Sequence, residues 1–288
     1  MIKFKKMFKK EYWVAIKENI KYLATKMKDM GPKGVLTSIW KDLFCGRSLT
    51  QWVYLIVLAG IQVVAYIYNP SNFVAMLAGL TGILCVIYVN EKRASNYFFG
   101  LVNSIIYLFL SLKSGFYGEV LTTAFFTVMQ PIGLYMWLIN ARHNKDEDNT
   151  AGLKVRKLTL GGWVKNILVT AAIWLGMGFA YNSIHAARPF RDSVTDGTNV
   201  TGQFLMSGGY AEQWIFWAAT NVFSIYLWWG ANFEITVMYW VFLLNSIVGW
   251  INWTIEAKGL KDESIKTKIK SFIPFLNKAN FATTANKN

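Results

Sequence analysis

The stretch SVTDGTNVTGQFLM, Ser193 to Met206, decides how the rest of the chain is read. Asp196, Thr198, Asn199, Thr201 and Gln203 make it too polar to face lipid, yet the runs on either side are strongly apolar. A polar helix in such a setting is expected to cross the membrane against protein or a cavity, where its side chains find partners. Gly208-Gly209 breaks the chain after it. If the stretch crosses, the number of crossings is even and both chain ends share one side.

Working outward, crossings are expected at Trp52–Tyr68, Asn72–Val89, Tyr97–Leu112, Glu119–Ile139 and Trp163–Ser183 before it, and at Ala211–Gly230 and Ile235–Ile255 after it. Several lie near the short end of the roughly 17–25 residues a membrane helix needs. Asn69-Pro70 reads as a turn, and Asn90–Ser95, with Glu91, Lys92 and Arg93, as a loop. Lys and Arg gather in cytoplasmic loops, which gives an independent test. With eight crossings and an inside start, 26 of the 30 Lys/Arg residues fall in inside segments. Lys113, Arg188 and Arg191 fall outside, and Lys165 starts the fifth span from within. Removing the polar crossing would export the lysine-rich tail, so the charge pattern favours keeping it.

Composition agrees. Of 288 residues 54% are hydrophobic and 16% charged, against roughly 25% charged in an ordinary soluble domain. A net charge of +14 and a pI near 9.6 would raise nucleic acid as a partner. The basic residues flank apolar spans, however, so an anionic bilayer surface accounts for them and no nucleic acid is expected. Cys45 and Cys85 offer neither a disulfide framework nor a metal cluster. The basic leader lacks the pattern of a removed signal peptide.

The expected organisation is a basic interfacial or cytoplasmic segment (1–50), an additional transmembrane helix (51–69), a first three-helix bundle (71–140), a cytoplasmic loop (141–160), a linker helix (161–184), a second three-helix bundle (192–256) and a basic cytoplasmic tail (257–288). In the first segment Trp13, Ile16, Ile20, Leu23 and Met27 recur at helical spacing, with Lys17, Glu18, Lys21 and Lys28 elsewhere on the wheel. Such a helix over Tyr12–Met27 can lie in the lipid interface or pack as a soluble cap. Gly31-Pro32 ends it, and a second short helix is expected over Leu36–Phe44.

The two bundles read as copies. Ser104-Ile105-Ile106-Tyr107 is followed by Gly133 and Trp137; Ser224-Ile225-Tyr226 is followed by Gly249 and Trp253. One full span separates the units, so both begin outside and end inside, as parallel repeats about an axis along the membrane normal. Residues facing that axis would line a central route.

Amides inside the spans must pair between helices or face a wet cavity, because unpaired polar groups in hydrocarbon are costly. Trp214, Trp217 and Asn221 stand at i, i+3 and i+7 on one helix face. Two indoles and an amide suit a planar, cationic heterocycle; for Trp214 an interfacial aromatic belt is the alternative. In the other unit Asn103 and Tyr107 lie at i and i+4, and Gln130, Gly133 and Trp137 share a face beside Pro131. Asn245 and Gly249 make the corresponding face of the last span, and Tyr226 completes the candidate substrate-binding set. Catalytic signals are poor: His143 and His185 fall in loops on opposite sides, and no phosphate-binding Gly-rich loop occurs. No cofactor or metal is expected. Glu212 reads as a helix N-terminal charge or as a proton carrier.

Trp214-x-x-Trp217-x-x-x-Asn221, with Asn96-Tyr97-Phe98-Phe99-Gly100, Gly118-Glu119 and Gln130-x-x-Gly133-x-x-x-Trp137, resembles the PnuC family of bacterial vitamin transporters over roughly Thr50–Lys258, and within it the nicotinamide riboside branch. Glu119 stands where the family commonly has Asp. The resemblance implies a SWEET-like 3+1+3 fold and a homotrimer in the bacterial inner membrane; the spans and charges read above make it all-α with parallel repeats, add one N-terminal transmembrane helix and put both termini on the cytoplasmic side. The resemblance also implies facilitated diffusion of nicotinamide riboside by alternating access, with a cytoplasmic riboside kinase trapping the product. Such a ligand calls for aromatic and amide groups without a permanent anionic sink in the site. Thiamine or riboflavin carriage, a sugar uniporter, a channel and a membrane enzyme acting on lipid are the competing readings.

Overall fold

A computed structural model describes residues 10–257 except 69, 71–72, 115–116, 149–151, 186–187 and 231–232. The tail beyond 257, expected to be cytoplasmic, and the side chain of Glu119 lie outside the described residues. Among the described residues two compact units result, one ending at Arg47 and one beginning at Ser48. The first contributes helix α1 (Lys10–Phe44), interrupted where expected: Gly31 has φ 64° and ψ 173°, a conformation outside any helix, ahead of Pro32. Trp13, Ile20 and Met27 are exposed on it.

The second unit is all helix among its regular elements: α2 (Leu49–Tyr68), α3 (Phe73–Asn90), α4 (Asn96–Ser114), α5 (Tyr117–Asp148), α6 (Leu160–Ser183), α7 (Pro189–Ser207), α8 (Gln213–Trp228) and α9 (Phe233–Ala257). By length and composition, four stretches among the described residues are apolar enough to cross a bilayer: Leu49–Tyr68, Phe73–Asn90, Val120–Lys145 and Leu160–Ser183. The decisive polar stretch is helical from Pro189, whose fixed φ suits the first turn. Its polar side chains are indeed turned inward: Asp196, Thr198, Thr201 and Gln203 are all buried.

Helices α3, α4, α5, α7, α8 and α9 close into a ring, each packing on the next, with α5 against α7 and α9 against α3 completing the circuit. Helix α6 packs on α7, and α2 on α3 and α9, from outside. Small residues let neighbours close in. A Cβ on Gly197 would stand 2.6 Å from the Thr170 carbonyl oxygen of α6, and one on Gly79 2.7 Å from Gln62 Nε2 of α2.

Helix α5 continues to Asp148, into the segment read from sequence as loop from residue 141. Asn-Ala-Arg-His-Asn-Lys contains neither Gly nor Pro, and Lys145 in the last turn complements the helix dipole. The connection from α5 to α6 is tied down. Asn140 accepts from the Lys154 backbone N–H at 2.8 Å, and Arg156 N–H donates to Gly209 O while Ala211 N–H donates to Arg156 O. Gly209, at φ 73°, makes the turn between α7 and α8, where a side chain would be strained.

Two tryptophans stitch the ring across its halves. Trp137 Nε1 of α5 donates to the Met206 carbonyl at the end of α7 at 2.8 Å. Trp253 Nε1 of α9 donates to the Asn90 carbonyl at the end of α3 at 3.1 Å. Each is nearly fully buried. Replacing either by Phe keeps the ring and deletes one bond, so Trp137→Phe and Trp253→Phe should each lower stability by about 1 kcal/mol. Unfolding of the purified protein in detergent checks this; a large effect of one with none of the other would contradict their equivalence.

Candidate functional site

The ring encloses a cavity of about 190 Å³ to which all six of its helices contribute. Its lining includes Asn103, Tyr107, Gln130, Gln203, Trp214, Trp217, Asn221 and Ser246, together with Phe126, Met238, Tyr239 and Phe242. Aromatic walls with a few convergent amides are the chemistry of a small-molecule site. No Lys, Arg, His, Asp or Glu is among the described lining residues.

Helix α8 supplies one wall because Trp214, Trp217, Thr220 and Asn221 share its inward face. Trp214 is 1% exposed and meets Trp253 edge to face, ring centres 5.9 Å apart. It sits over Gly249, where a Cβ would come within 2.5 Å of its ring. Trp217 lies over Gly202, with 3.1 Å to a would-be Cβ, and its ring centre is 6.1 Å from that of Phe126 across the cavity. Asn221 Nδ2 donates to Ser246 Oγ at 3.1 Å, which in turn donates to the Phe242 carbonyl. That fixes the amide plane and leaves Asn221 Oδ1 available as an acceptor.

The opposite wall repeats the device. A Cβ on Gly100 would stand 2.7 Å from Gln130 Oε1, and one on Gly133 2.3 Å from the Tyr97 ring. Asn103 Nδ2 donates to the Ala78 carbonyl at 2.6 Å, and Tyr107 Oη donates to Met238 Sδ at 3.6 Å, linking α4 to α9. Gln130 Oε1, Gln203 Nε2 and Trp214 Nε1 are buried without a hydrogen-bond partner among the described residues. Such orphaned donors and acceptors are costly unless something else satisfies them. Here one acceptor and two donors belong to one cavity's lining.

Of the nine residues singled out from sequence, six line the cavity: Asn103, Tyr107, Gln130, Trp214, Trp217 and Asn221. Three sit elsewhere. Trp137 is committed to the Met206 carbonyl. Asn245, fully buried, accepts from Tyr54 Oη of α2 and donates to the Val86 carbonyl of α3, so it joins helices. Tyr226 is 69% exposed, with the Arg191 guanidinium 5.0 Å from its ring centre. Sequence reasoning passed over Gln203 and Asn199 as site residues, although both line the cavity. Asp196, Asn199 and Gln203 carry the same i, i+3, i+7 spacing as the tryptophan face, and that was the available signal.

A family model described as nicotinamide mononucleotide transporter matches residues 72–255, the span of the ring. The nicotinamide riboside transporter PnuC of Neisseria mucosa is 35% identical over 231 residues, covering 76% of this chain and 86% of that protein. The nicotinamide riboside transporter PnuC of Haemophilus influenzae is 35% identical over 208 residues, covering 72% and 89%. A crystal structure of the vitamin B3 transporter PnuC superposes with a TM-score of 0.65 at 33% identity, covering 77% of this chain and 98% of that one.

Proposed function

We propose that this chain, which belongs to the PnuC family of membrane transporters, carries nicotinamide riboside across the bacterial inner membrane by facilitated diffusion. The observation that carries the reading is the cavity wall. Trp214, Trp217 and Phe126 offer faces to a flat pyridinium, Asn221 offers an acceptor to its carboxamide, and Gln130, Gln203 and Asn103 offer amides to ribose hydroxyls. The family model's description and the relatives' names differ by one phosphate. A nucleotide would bring that dianion into a lining whose described residues include no cation, and uncompensated charge in such a site is strongly penalised. The riboside fits the chemistry and the nucleotide does not.

In this reading α3–α5 and α7–α9 are two parallel units joined by α6, a SWEET-like 3+1+3 arrangement with α2 added. The reciprocal bonds from Trp137 and Trp253, each to the end of the other unit's first helix, support it. So do the paired glycine seats beneath Tyr97 and Trp214. All eight helices from α2 to α9 then cross the bilayer, with both termini cytoplasmic. The cavity is smaller than the roughly 300–1,000 Å³ typical of ligand sites. Loading therefore displaces the walls, and the units rock about the ligand to face each side in turn. A homotrimer, and a cytoplasmic riboside kinase that consumes the product, complete the proposal.

Purified protein in liposomes tests it. Labelled nicotinamide riboside should enter saturably and equilibrate without any imposed ion gradient, while excess nicotinamide mononucleotide, thiamine or glucose leaves the flux unchanged. Saturable thiamine flux with no riboside flux would overturn the substrate; flux that needs a gradient would overturn the energetics.

A further inference from the structure

Behind one wall of the cavity stands a carboxylate. Asp196 of α7 is 7% exposed. Its Oδ1 accepts from Thr122 Oγ1 of α5 at 2.6 Å, and its Oδ2 accepts from Tyr181 Oη of α6 at 2.8 Å. Thr122 itself lines the cavity, so a single hydroxyl separates the carboxylate from the cavity. Both oxygens acting as acceptors is the arrangement that suits an ionised carboxylate. Among the described residues no Lys or Arg pairs with it.

A buried charge without a counter-charge is expensive. A cation in the cavity supplies the missing partner, at a distance of one side chain and in a poorly screened environment. We infer that Asp196 is a specificity-determining residue, which makes the cavity prefer a cationic ring over a neutral ring of the same shape. It touches no substrate; it acts through Thr122, which carries the field into the cavity and separates the carboxylate from direct contact. The inference deepens the riboside reading and rests on it, since the oxidised nicotinamide ring is a cation and its reduced dihydropyridine form is neutral with the same carboxamide and ribose.

The test compares uptake of these two ribosides in liposomes. Wild type should favour the cation, and Asp196→Asn, which removes the charge while its amide oxygen accepts from one hydroxyl and its NH2 donates to the other, should lower the cation-to-neutral ratio of kcat/KM at least about tenfold, the scale of one charge roughly 12 Å away at an effective dielectric near 20. Tyr181→Phe removes a partner but keeps the charge and should preserve the ratio, which a merely structural role of Asp196 would not predict. Asp196→Ser gives a second neutral variant should the first fail to insert. A ratio unchanged in whichever neutral variant inserts, a wild-type ratio near one, or an equal fall in Tyr181→Phe overturns the inference. Wild-type flux of neither riboside instead overturns the functional reading itself.

Discussion

Gly249→Ala should lower nicotinamide riboside uptake at least about tenfold, although the change adds one methyl group. The new Cβ would lie 2.5 Å from Trp214 Cε2 and under 3 Å from two further ring atoms, a separation that carbon atoms do not tolerate. The ring cannot yield easily, because Trp214 is 1% exposed and held edge to face against Trp253. Overpacking of this kind costs roughly 1–3 kcal/mol, and the movement that relieves it takes an indole out of the cavity wall. Gly176→Ala on α6 is the control, since nothing lies within 4 Å of its would-be Cβ. Uptake per inserted protein should fall for the first and hold for the second; equal uptake in both would show that the seat of Trp214 does not matter to transport.

The second large effect is expected at Trp217 and Asn221. Trp217→Ala removes the ring that faces Phe126 across the cavity. A desolvated cation over an indole gains about 2 kcal/mol or more, so kcat/KM should drop by ten- to a hundredfold, with Trp217→Phe recovering part of it. Asn221→Ala leaves Ser246 its bond to the Phe242 carbonyl, so the fold is retained while the acceptor is lost. That loss should cost about 1–3 kcal/mol of binding. Uptake normalised to the amount of protein in the membrane checks both; normal transport in both variants would remove α8 from the mechanism.

How much of the molecule was legible in its sequence depends on what decides each feature. The helices of the ring were readable because their apolar runs are bounded by charge or turns, and the polar α7 because its side chains had to face inward somewhere. The tryptophan face of α8 was readable because i, i+3, i+7 spacing fixes a face without reference to neighbours. Which face turns to the cavity was not fixed in that way. Asn245 and Ser246 are adjacent, about 100° apart around the helix, and it is Ser246 that lines the cavity while Asn245 grips α2 and α3. Trp137 shares a face with Gln130 but lies two turns on, about 10 Å along the axis, where the Met206 carbonyl claims it. The inward turn of Asn199 and Gln203 required knowing that α5 and α8 flank α7. Local spacing carries periodicity; the rotation of each helix is decided by packing between segments distant in sequence.

Crystallography of the protein with nicotinamide riboside bound is the decisive measurement. The nicotinamide ring should lie within the six-helix ring against Trp217, with its carboxamide within hydrogen-bonding distance of Asn221 and the ribose toward Gln130 and Gln203. Ligand density on any other surface, with these side chains packed on one another around an empty centre, would contradict this placement.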